Sequence, residues 1–202
     1  MALSYPLSFP SAVPIRNITW TAKTIVATSK SPFTGAIQVY EHPGSWWEID
    51  IELPPMEREN AEQFIGFLCG LNGPRGTFTL GDPDGATPRG AATGTPVVKG
   101  AGQTGRTLLT DGWSTGVTGI LKAGDWIQIG NYAYKVTQDA DSDGSGNATL
   151  EIFPTLRAAP SDNASITTGS TTSLWRLKTN QINWSVNDLR HYGITIQAVE
   201  AI

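Results

Sequence analysis

The stretch Trp46–Leu53, WWEIDIEL, alternates strictly from Trp47 and stops at Pro54-Pro55. Successive side chains on a strand point to opposite faces, so Trp47, Ile49, Ile51 and Leu53 share one face and Glu48, Asp50 and Glu52 the other. Such a strand is half-buried and needs a cover for its apolar side. The cover follows at once. Over Glu57–Asn72, Ala61, Phe64, Ile65, Leu68 and Leu71 recur at helical spacing. Glu57, Glu59 and Glu62 sit in the early turns, where they complement the helix dipole, and Gly70 and Gly73 mark the exit. Cys69 lies beside the stripe and is expected to be a packed core thiol, since no nearby cation would activate it.

Outside this helix the chain reads as strands and turns. Its 202 residues include 22 glycines and 13 prolines, too many breakers for a second long helix. Strands are expected at Asn17–Ala27, Ala36–Glu41 and Gly76–Leu80. Residues 1–16 carry Pro6, Pro10 and Pro14, which favour an extended arm or edge strand, of a kind that often lies on a neighbouring subunit. Residues 81–95, GDPDGATPRGAATGT, read as a linker. Beyond it, Trp126–Ile129 and Tyr132–Val136 flank Gly130-Asn131, a two-residue hairpin turn, and Ala148–Phe153 is another strand. Loop residues run from Ala158 to Asn163. Leu174–Lys178, Gln181–Asn187 and Gly193–Ile202 end the chain as strands resembling the early ones. The pattern predicts a mainly β fold: a discontinuous β-sandwich with one helix from residues 1–86 and 173–202, and a small β-barrel-like domain inserted over residues 87–172.

Bulk properties restrict function. A formal net charge of -4 argues against specific nucleic-acid binding. The single cysteine forms no internal disulfide, no apolar run is long enough for membrane insertion, and the N-terminus lacks a basic leader, so a cytoplasmic site of synthesis is expected.

Three stretches imitate sites. Asp139, Asp141, Asp143 and Gly144 open like an EF-hand calcium loop, but position twelve is Leu150, with Glu151 one residue late, and the flanks read as strands. A hairpin loop is expected and no metal is assigned. GWSTG (Gly112–Gly116) fits a nucleophile elbow around Ser114, yet no helical stripe follows, and neither His42 nor His191 shows local signs of pairing with it. GAGQTG (Gly100–Gly105) fits a phosphate cradle but opens no helix. No catalytic residue and no cofactor is assigned; the chain is expected not to be an enzyme. Among aromatics, Tyr40, Trp46, Trp113 and Trp126 offer two readings, a sugar-stacking platform or an interface, of which the interface is favoured. Tyr5, Pro6 and Pro10 of the arm, with Trp46 and Trp113, are the interface candidates.

Two stretches carry a family likeness. YEHPGSWWEIDIELPPMERENAEQFIGFLCGLNGPRGTFTLGDPDG (Tyr40–Gly85) and LKAGDWIQIGNYAYKVTQDADSDGSGNATLEIFPTLR (Leu121–Arg157) resemble segments of distal tail and other minor tail-tip proteins of long-tailed bacteriophages. Together they span about two fifths of the chain. The resemblance implies a β-sandwich of tail-tube type carrying one helix, and assembly as a ring, typically a hexamer. It implies a structural virion protein at the tail tip, assembled in the host cytoplasm, joining tail tube protein to hub or baseplate proteins. The alternative is a host-surface carbohydrate-binding module, with the inserted barrel as binder.

Overall fold

The computed structural model describes residues 3–202. In chain order the strands are β1 (Leu7–Ser8), β2 (Asn17–Lys30), β3 (Ile37–Glu52), β4 (Phe78–Leu80), β5 (Gly94–Val98), β6 (Thr107–Trp113), β7 (Trp126–Ile129), β8 (Tyr132–Val136), β9 (Ala148–Phe153), β10 (Ile166–Thr167), β11 (Ser173–Leu177), β12 (Trp184–Val186) and β13 (Tyr192–Glu200). One α-helix, α1 (Arg58–Leu71), lies between β3 and β4. The fold is mainly β: a small, nearly closed barrel beside a second, larger sheet.

The larger sheet is built from both ends of the chain, in the order β1-β4-β11-β13-β3-β2, with β12 also on β13. Its register follows the alternation. Ile49 pairs with Ala198 and Ile51 with Ile196, so inward residues meet inward residues. Phe64, Phe67, Leu68 and Leu71 of α1 are buried in the same core. Each such side chain contributes about 1.5–3 kcal/mol on burial, which outweighs the modest intrinsic preference of a 14-residue helix. Asn72 ends the helix in the left-handed region at φ 53°, its N–H donating to the Cys69 carbonyl.

Three expectations are corrected here. The buried stripe runs through Phe67, while Ile65 is only half-buried, and Cys69 is exposed. A residue one step past Leu68 is turned about 100° round the helix, away from the sheet. The expected strands at 36–41 and 46–53 are one strand, β3. The chain does not turn at His42-Pro43-Gly44: Thr24 pairs with Ser45 and Ile25 with His42, leaving Pro43 and Gly44 as an unmatched bulge. Proline is tolerated there because that edge of β3 has no further neighbour. Finally, the N-terminal arm packs on its own chain. β1 runs parallel to β4, Phe9 contacts the rings of Phe64, Phe67 and Phe78, and the Tyr5 hydroxyl donates to the Gly70 carbonyl at 2.7 Å.

The barrel sheet has the order β10-β7-β8-β9-β6-β5. It closes where Val97 bridges Ser165, and Val98 N–H donates to the Ala164 carbonyl at 2.9 Å. Leu108, Ile120, Leu121, Ile127 and Leu150 fill the interior without exposure. Gly112 sits at the β5–β6 irregularity with φ 77°, and a Cβ there would stand 2.4 Å from the Thr95 carbonyl oxygen. The turn at Gly130-Asn131 joins β7 to β8 as expected, with φ 59° at Gly130.

Barrel and sheet meet over a mixed junction. Trp126 of β7 lies 5.0 Å from Trp20 and 5.2 Å from Trp47, ring centre to ring centre, and Trp20 lies 5.5 Å from Trp175. Beside them Arg157, just past β9, forms a paired ion contact with Glu200 of β13, with side-chain exposures of 6% and 0%. Arg157 also donates to the Ser45 carbonyl, and Glu200 accepts from Trp47 N–H at 3.2 Å. Removing one partner strands the other charge in the interior. Glu200→Ala is therefore expected to lower unfolding free energy by about 3–5 kcal/mol in a urea titration. The paired change Arg157→Met with Glu200→Leu is expected to cost much less; an equal loss in both would show that the charge pairing is not what matters.

Candidate functional site

The feature with no structural use inside the chain is the far half of the β2–β3 hairpin. Beyond the bulge these strands pair only with each other, from Ile25–His42 to Lys30–Ile37. They form a two-stranded ribbon closed by Ser31–Ala36, where Ser31 Oγ accepts from Phe33 and Thr34 N–H. Directly paired residues share a face. Val26, Glu41, Thr28, Val39, Lys30 and Ile37 continue the face that is inward nearer the base of the hairpin, whereas Ile25, His42, Ala27 and Tyr40 lie on the reverse. Apolar groups therefore stand on both faces. Val39 is 65% exposed, Tyr40 66% and Phe33, at the tip, 95%. A solitary two-stranded ribbon is marginal in water, and here it carries both free edges and uncovered apolar side chains. An ion pair from Glu41 to Arg106 at 3.3 Å ties it to the barrel.

A second uncovered patch lies at the opposite end of the same strands. β12 pairs only with the start of β13, Trp184 opposite the buried Ile194. Trp184 and Val186 thus belong to the inward face, yet Trp184 is 46% exposed and Val186 and Leu189 are also exposed. A groove of about 370 Å³ adjoins them, lined by Arg16, Glu52, Pro55, Trp184 and Ile194 among others.

The interface candidates from sequence are scattered by the fold. Tyr5 is partly buried against the core cluster of the larger sheet, Pro10 is half-buried, and Pro6 is exposed. Trp46 is half-buried on the outer face, its indole N–H donating to Glu48 at 3.3 Å. Trp113 is corrected outright: it lies in the barrel core with 4% exposure, and its N–H donates to Thr110 Oγ1 at 2.8 Å. The sugar platform is not assembled, because Tyr40 is on the ribbon, Trp113 in the barrel and Trp126 in the junction.

The acidic loop is occupied by its own chain. Asp139 accepts from Ala123 N–H and Lys122 Nζ, Asp141 from Gly119 N–H, and Asp143 from Ser145 and Asn147 N–H and from the Asn147 amide. These bonds hold the Asp139 and Asp143 carboxyls below the ordinary range; the leading cause is the Ala123 N–H for the first and the Asn147 amide for the second. The three carboxylates hold separate turns, and no group of metal-ligating side chains is gathered among the described residues. Added calcium is thus expected to leave the thermal midpoint unchanged. A calcium-dependent rise that Asp141→Asn abolishes would count against this assignment of the loop.

Ser114 follows β6, its carbonyl accepting from Ser142 Oγ, and no hydrogen bond links its hydroxyl to a histidine among the described residues. Gly100 and Gly105 bound a loop pinned by Gln103, whose amide donates to the Lys99 and Leu109 carbonyls.

One buried acid has an architectural use. Asp125, immediately before β7, accepts from Arg89, Gly90 and Lys122 N–H at 2.8–3.0 Å. Burial pushes its carboxyl upward, but those three donors and the Arg89 guanidinium outweigh burial and hold it below the usual range. A depressed folded-state value gives stability that is complete above the ordinary carboxylate range and is lost as pH falls through the folded-state value. Asp125→Asn is expected to unfold more easily than the wild type at neutral pH. The two denaturation curves should converge as pH falls through the ordinary carboxylate range and on toward the depressed folded-state value; a constant gap would overturn this role.

A scan against protein-family models returns no match, and a search of curated proteins returns none. No helix among the described residues is long and apolar enough to cross a membrane. The ribbon is not foreseen from sequence because Ala36–Glu41 and Trp46–Leu53 read as separate strands, whereas they form the single strand β3. A signal was present: Ile25-Val26 are adjacent apolars, and IQVY sets Val39 beside Tyr40. A strand with one wet face rarely repeats consecutive apolar residues on both of its paired partners.

Proposed function

We propose that this chain is a structural subunit of a bacteriophage tail tip, a non-enzymatic adaptor that assembles with copies of itself into a ring between tail tube and hub. The ribbon carries this reading. It is apolar on both faces and unpaired on both edges, so its cover comes from outside the chain. The likeness of Tyr40–Gly85 and Leu121–Arg157 to tail-tip proteins supplies the setting. On this reading the larger sheet with its helix is the tail-tube-type layer, the partners are tail tube and hub proteins, and the site of action is the virion. The net charge of -4 suits a ring that DNA passes without being held, because phosphate binding scales with available cations.

Association through identical subunits requires a self-complementary or head-to-tail contact, and a closed ring satisfies every copy. Purified full-length chain is expected to give a single multimeric mass in native mass spectrometry and discrete rings in negative stain. Val39→Asp places a charge on the ribbon and is expected to weaken assembly by about tenfold to a hundredfold, near 1.4–3 kcal/mol. A monomer at the highest soluble concentration, retained on a glycan array, would replace this reading with the carbohydrate-binding module.

A further inference from the structure

We propose that the ribbon of one copy lies face to face on the β12 patch of the next, so that one subunit's hairpin covers the inward face its neighbour leaves bare. This rests on the self-assembly reading above and names the two surfaces that meet.

Three observations carry it. First, both surfaces have inward parity without an inward neighbour. Val26, Val39 and Ile37 continue the face that holds Trp47 and Ile49 farther down the hairpin. Trp184 lies opposite Ile194, in the row whose next members are the buried Ile196 and Ala198. Each is a sheet face that stops being covered, and a second sheet packing about 10 Å away is one way to cover such a face.

Second, the two surfaces match in kind and extent. Each offers three large apolar side chains: Val26, Ile37 and Val39 on the ribbon, Trp184, Val186 and Leu189 at β12. From their fractional exposures each set presents on the order of 300 Å², a suitable apolar centre for a contact burying about 800 Å² per partner.

Third, one chain cannot join its own two surfaces. Trp184 is tied through Ile194 and the neighbouring Thr195–Glu52 pair to the Asn17 end of β2. Val39 is opposite Thr28, so the surfaces lie about 35 Å apart along β2 at ~3.3 Å per residue. The occupant is a second copy, which brings the complementary surface at the same concentration and in a fixed orientation. Two different surfaces on each copy make a head-to-tail contact, which continues until the rotation closes it.

The experiment uses the full chain with Cys69→Ser, because Cys69 is exposed. One preparation carries Val39→Cys and another Val186→Cys, both at exposed positions. They are mixed and treated with a short bis-maleimide spanning about 10 Å, since a disulfide is too short for facing sheets. The expected result is a covalent dimer in the mixture that neither preparation gives alone. Val39→Cys mixed with Thr149→Cys, an exposed barrel position, should give none. A dimer from Val39→Cys alone would mean ribbon against ribbon and would overturn the proposal. A multimer by mass that yields no Val39–Val186 product would also overturn it while leaving the ring reading standing. A monomer by mass would remove both.

Discussion

The architecture depends on how a barrel built from the middle of the chain is fixed to a sheet built from its ends. The buried Arg157–Glu200 pair does this at one point. A charge pair in the interior gains little net stability over apolar side chains of the same size, but it is demanding about geometry. Arg157 satisfies Glu200 and the Ser45 carbonyl together, and Glu200 also holds Trp47 N–H. Displacing the barrel would break all of these in a place water does not reach. The neighbouring tryptophans add area without the same precision. Trp126 and Trp175 find acceptors in Asp82 and the Leu80 carbonyl, whereas the buried N–H groups of Trp20 and Trp47 have none among the described residues and lie against each other's rings. The junction thus combines a geometric lock with a large apolar contact.

With the barrel fixed, the exposed ends of the larger sheet acquire meaning. The β2–β3 hairpin is rigid at its base, where β13 and α1 support it, and unsupported past the bulge. β12 is likewise anchored to β13 and bare beyond. On the proposed self-assembly, these two bare ends are where contacts would pass from copy to copy. Such contacts would rest on shape and apolar area, while carboxylates such as Asp125, Asp139 and Asp143 are engaged in holding loops.

Strong local patterns were legible from sequence. The WWEIDIEL alternation, the stripe of α1, the Gly130-Asn131 turn and the limits of Ala148–Phe153 all reappear within a residue or two, because each is set by side-chain period or turn chemistry over a few residues. Two-residue strands such as β1 and β10 carry too little pattern to be seen, and they exist because a neighbouring strand offers free backbone groups. Cys69 and Trp113 were misplaced for related reasons. Which side of a helix or strand is wet depends on what is packed against it, and one residue of displacement reverses the answer.

The sequence alone determined a mainly β chain with one helix, the absence of an intact metal or nucleophile pattern, and the inward face of β3, since all of these follow from residue type and spacing. Only the tertiary structure decided that β2 and β3 run past their support as a bare ribbon, that the arm folds back onto α1, and that Trp113 is interior while Trp184 is not. Exposure is a property of the finished packing: the same alternation of apolar side chains makes a core where another layer arrives and a bare apolar surface where none does.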